Sequence, residues 1–103
     1  MLRITDTLHT SADGRACWIL HLHGTLGGEW VRELRRVWRR TRAAAADAAI
    51  RVELADVSFV DAAGKLLLME MYRDGVDIVA NGCLTSAIRD DIVAGCAADR
   101  RRR

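Results

Sequence analysis

The sequence predicts an α/β fold: a small four-stranded mixed sheet flanked by helices, in the order β-β-α-β-α-β-α. Three observations carry this prediction. Four short segments are apolar or alternate at a period of two. Three longer segments read as helices, the first with apolar residues at i, i+3 and i+4. Helices separate the later strands, and such crossovers join parallel neighbours in a right-handed sense. The length, 103 residues, suits one domain.

Residues 2–8 form the first strand, with Leu2 and Ile4 on one face and the phase broken near its end. Asp13-Gly14 turns the chain, because glycine supplies the positive φ of a tight connection. Residues 16–23 form the second strand and pair back as a hairpin. Ala16, Trp18, Leu20 and Leu22 share one face, and Cys17, Ile19, His21 and His23 the other. Apolar groups on both faces imply cover on both sides. Glycines at 24, 27 and 28 break the strand. The first helix runs from 29 to about 46, with Trp30, Val31, Leu34, Val37 and Trp38 at helical spacing. Alanines at 43–49 continue it or form its exit. In the third strand, 50–55, Ile50, Val52 and Leu54 alternate with Arg51 and Glu53. Residues 56–64 are read as a loop. The second helix covers 62–72, with Leu66, Leu67, Met69 and Met71 as core positions, and Asp74-Gly75 ends it. A fourth strand at 76–80, a turn at Asn81-Gly82 and a third helix at 84–94 complete the domain, 1–96. The segment 97–103 reads as a frayed arginine-rich tail.

Composition narrows the function. Half of the residues are hydrophobic and 29% are charged, which fits a globular chain and not a disordered one. No apolar run reaches the roughly 18 residues of a membrane span, and no signal peptide is visible, so a cytoplasmic location is expected. Cys17, Cys83 and Cys96 are odd in number and widely spaced, which favours free buried thiols over a disulfide or zinc site. Net charge is only +2, but it is unevenly spread. The first helix holds six arginines and two glutamates, four more arginines end the chain, and the remainder is acidic. This cancellation argues against a dedicated nucleic-acid binder and for a polar surface that selects a protein partner.

The stretch 50–68 carries the most specific pattern. A strand is followed by Asp56, Ser58, Phe59, Asp61 and Gly64 at fixed spacing, then by the apolar start of a helix. This resembles the signature of the STAS domain, a family named for sulfate transporters and anti-sigma factor antagonists. His23-Gly24-Thr25-Leu26 is similar to the family's Gly-x-Leu at the end of the second strand. The resemblance implies a non-catalytic protein-interaction module. Its partner-binding residues would be Asp56, Ser58, Asp61, Ala62, Ala63, Gly64 and Lys65, with Thr25 and Gly27 on the neighbouring loop. In antagonists of this family, a partner kinase phosphorylates the serine that follows the Asp. Here Ala62 and Ala63 follow Asp61, so that switch is expected to be absent. Where the family often has an Asp after Gly-x-Leu, this chain has Gly27.

The resemblance implies an anti-sigma factor or kinase-like protein as partner. Its alternatives are the STAS-type subunit of a membrane transporter and a carrier of a small apolar ligand lined by Trp18, Trp30 and Trp38. A homodimer is also compatible. No enzyme, cofactor or metal site is implied. His21 and His23 share a strand face, but no further ligand completes a site. The glycines at 24–28 lack the lysine of a phosphate loop. Independently of any family, Asp61 is placed to cap the second helix. Ser58 is expected in an inward-turning part of the loop.

Overall fold

The computed structural model of the chain describes residues 1–45, 48–80 and 83–101. The elements follow the predicted order: β1 (Leu2–Thr10), β2 (Ala16–Leu26), α1 (Glu29–Ala45), β3 (Ala49–Val60), α2 (Ala62–Arg73), β4 (Asp77–Val79) and α3 (Cys83–Arg101). The strands lie in sequence order, β1-β2-β3-β4. β1 and β2 are antiparallel across the Gly14 turn, where φ is +85°. β2, β3 and β4 are parallel.

This order settles which face is covered. Successive crossovers of one hand that advance in one direction place their helices on the same side of the sheet. The buried residues accordingly belong to one face: Leu2 of β1, Leu20, Leu22 and Leu26 of β2, Ile50, Val52 and Leu54 of β3, and Ile78 of β4. Against them pack Val31, Leu34, Val37 and Trp38 of α1, Leu67, Leu68 and Met71 of α2, and Ile92 and Cys96 of α3.

Several expectations are corrected. β2 is not covered on both sides, because Cys17, Ile19, His21 and His23 are only half-buried on a face without a helix. β2 and β3 are longer than expected, continuing to Leu26 and Val60, while β4 is shorter, Asp77–Val79 within the expected 76–80. Residues 56–60 are therefore strand and not loop. Leu66 is not core: it is 65% exposed, while its neighbour Leu68 is fully buried. α3 continues through residues 97–101, beyond the predicted end of the third helix. Cys17 and Cys96 are free thiols, the first half-buried and the second buried. The predicted turn at Asn81-Gly82, the exit of the first helix at 46–47 and the last two arginines lie outside the described residues.

Candidate protein-interaction site

The candidate site lies where β2 and β3 end and α1 and α2 begin. Two irregularities shape it. The register of β3 against β2 slips once between His21 and His23, and again between Gly24 and Thr25. At each slip β3 carries one residue more than its partner, which is the signature of a bulge. Bulges bend a strand and re-aim its side chains. From the first slip onward, Asp56, Ser58 and Phe59 are all exposed, Phe59 by 56% despite its size.

Asp61 organises the end of the sheet. It stands in extended conformation before α2 as its N-cap, and its Oδ1 accepts the Gly64 N–H at 2.7 Å. Its Oδ2 accepts the Gly28 N–H, from the opposite loop, at 3.0 Å. Its own N–H donates to the Leu26 carbonyl at 3.0 Å. One side chain thus clasps the β2–α1 loop to the start of α2. These hydrogen bonds, from Gly64 first and then Gly28, hold its carboxyl below the usual aspartate range. The free N–H groups and dipole of a helix start favour an anion, and here Asp61 is that anion.

The glycines fit this clasp. A Cβ on Gly64 would lie 2.7 Å from the Leu26 carbonyl oxygen, so the backbone approach permits no larger residue without movement. A Cβ on Gly27 would lie 3.0 Å from Asp61 Oδ2. Gly28 adopts φ +56°, a conformation that favours glycine.

The predicted site residues therefore separate into groups. Asp61 and Gly64, with Gly28, hold the two loops together, and Gly27 leaves room for the Asp61 carboxylate. Ala62 and Ala63 are exposed on the first turn of α2. Lys65 is tied to Asp91 of α3 at 3.2 Å. Thr25 donates its N–H to the Met1 carbonyl at 2.9 Å. Asp56 faces His23 Nδ1 at 3.2 Å. Ser58 is not turned inward: it is exposed, and its hydroxyl donates to the Gly24 carbonyl at 3.2 Å. Gly28 falls in the expected loop, whereas Phe59 and Leu66 were not among the expected site residues. Thr25, Trp30, Phe59 and Asp61 are among the residues lining an open depression of about 580 Å³. An apolar residue inside an apparent loop was the available signal for Phe59. Among the described residues, no group of three or more His, Cys, Asp or Glu side chains is arranged to hold a metal.

A four-stranded mixed sheet with three helices on one face is an α/β architecture of SpoIIAA-like fold. Two solved structures show the likeness. The first is an uncharacterised protein with a SpoIIAA-like fold from Shewanella loihica, at TM-score 0.56 and 13% identity, covering 82% of this chain and 71% of that one. The second is the anti-sigma factor antagonist SpoIIAA in its unphosphorylated form, at TM-score 0.52 and 16% identity, covering 84% of this chain and 96% of that one. The fold expected from the STAS resemblance is the fold observed. No protein-family model matches the chain, and no curated protein matches its sequence. No helix among the described residues is long and apolar enough to cross a membrane.

Proposed function

We propose that the chain is a non-catalytic protein-interaction module of the anti-sigma factor antagonist type, with a contact surface that carries no phosphorylation switch. The observation behind this reading is Ala62. It is the exposed first residue of α2, where the STAS resemblance places the phosphorylatable serine. With Ala63 beside it, the helix start offers no hydroxyl. Phosphorylation there would add roughly −1.5 to −2 charge and break an apolar contact; this chain keeps the contact permanently available. The contact residues are Ala62 and Ala63, flanked by Asp56, Ser58, Phe59 and Lys65, while Asp61 and Gly64, with Gly28, hold them in place. The module spans residues 1–96, with 97–103 as an arginine-rich extension, and acts on a cytoplasmic protein partner.

The test is substitution at the helix start. Ala62→Glu mimics the charge of a phosphoryl group and is expected to weaken capture of the native partner at least about tenfold. Unchanged capture moves the interface elsewhere. Incubation with a serine kinase of the antagonist-directed type and ATP is expected to leave the 56–65 segment unlabelled, and label on Ser58 overturns the switch-free reading.

A further inference from the structure

α1 and α2 start at the same end of the sheet and run side by side. Two ion pairs join them: Arg35 to Glu70 at 3.0 Å, and Arg42 to Asp74 at 3.1 Å. On α1, residues 32, 35, 39 and 42 form one stripe at steps of three and four. On α2, residues 66, 70 and 74 form the facing stripe at steps of four. Together they make a ladder of arginines against carboxylates, and its first rung is incomplete. One turn before Arg35 stands Arg32, and one turn before Glu70 stands Leu66. Leu66 thus occupies the position of an acid, and it is the most exposed hydrophobic side chain on α2. Arg32 and Arg39 are exposed and have no carboxylate partner among the described residues.

We propose that this ridge docks an acidic amphipathic helix of a protein partner, which seats an apolar side chain on Leu66 and carboxylates on Arg32 and Arg39. The proposal rests on the reading of α2 as part of an interface, and adds the chemistry of what binds there. The geometry suits such a segment. Arg32 and Arg39 lie about 10 Å apart along the axis of α1, the separation of two residues seven apart on a second helix. Anchors at helical spacing are how a helix is read by a groove. Arginine's planar fork pairs with discrete carboxylates. A continuous polyanion fits less well, because Glu33 and Glu70 sit among the arginines and would face its phosphates. Along the arginine stripe itself Trp38 offers no stacking platform, because it is buried in the core.

The test is fluorescence anisotropy with the whole chain. The probe is a labelled synthetic helix with Glu at i and i+7 and Leu between them. Its companion carries Lys in place of Glu; a single-stranded RNA and phosphatidylserine vesicles complete the set. The acidic helix alone is expected to bind, and more weakly as salt rises from roughly 50 to 300 mM. The Arg32→Glu, Arg39→Glu double variant is expected to lose at least about tenfold in affinity. Leu66→Glu is expected to lose as much, by supplying the missing rung from within. Equal binding of both helices, tighter binding of RNA or vesicles, or an unaffected double variant overturns the proposal. Ala62→Glu is titrated alongside. The ridge stands or falls on the arginine variants, and the α2 start on the loss of native-partner capture.

Discussion

The two faces of one sheet divide the molecule's labour. On the covered face, Leu20, Leu22, Leu26, Val52 and Leu54 are almost wholly removed from solvent. One residue further along the same strands, the open face pairs polar side chains across strands. His21 Nδ1 meets Glu53 at 2.9 Å, His23 meets Asp56 at 3.2 Å, and Arg51 meets Asp77 at 3.4 Å. The backbone is shared, so the difference is one of side chains alone. Apolar burial is worth roughly 25 cal/mol per Å², whereas a half-exposed ion pair is worth about 0–1 kcal/mol. Stability therefore resides under the helices, and the open face is free to vary.

The largest expected effect lies on the covered face. Trp38 is 3% exposed within the core, and the Arg42 guanidinium lies 6.0 Å from its ring centroid. Removing such a side chain costs about 3–5 kcal/mol. Its indole N–H has no hydrogen-bond partner among the described residues, a cost the native fold already bears. Trp38→Ala is therefore expected near the lower end, about 3 kcal/mol in denaturant unfolding. A loss under about 1 kcal/mol would break the contrast between the faces.

A smaller effect is expected at the clasp, where the faces meet. Asp61→Asn keeps the shape but leaves one oxygen for two N–H donors, Gly28 and Gly64. Its thermal midpoint should fall at neutral pH. Because the folded carboxyl titrates below its unfolded value, its stabilisation is present above about pH 4 and is lost as pH falls through the folded pKa. The gap between wild type and variant should then narrow in acid. A gap that does not change with pH would show that the charge of Asp61 is not what holds the loops.

The smallest effect is expected on the open face. Glu53→Gln removes the carboxylate charge beside His21 at a half-exposed position while keeping an acceptor oxygen, and is expected to change stability by less than about 1 kcal/mol in the same unfolding measurement. A larger loss would mean that this face, too, supports the fold.

The element order was legible because strands and helices differ in period, and glycines mark their ends. One-sided cover was less so. β2 carries apolar residues at both phases, and read alone it looks central and buried. The better signal was β3, where Arg51 and Glu53 alternate strictly with Ile50, Val52 and Leu54. The direction of the crossovers, which decides where helices lie, is not written in any local pattern. Asp61 was legible as a cap from its place before an apolar helix, but its second bond, to Gly28, joins residues 33 apart and has no local trace. The bulges hid the last turns of β3 in the same way, because they break the period by which a strand is recognised.

That long-range bond also has a meaning for the order of events in folding. Closing a loop costs chain entropy that grows with the logarithm of its length, and the packed sheet must first repay it. The β1–β2 hairpin needs only local closure, but the clasp needs α1 folded back and β3 already seated. On this entropic argument the corner that presents Ala62 follows the hairpin: the surface offered to a partner takes shape once α1 has folded back and β3 is seated on β2.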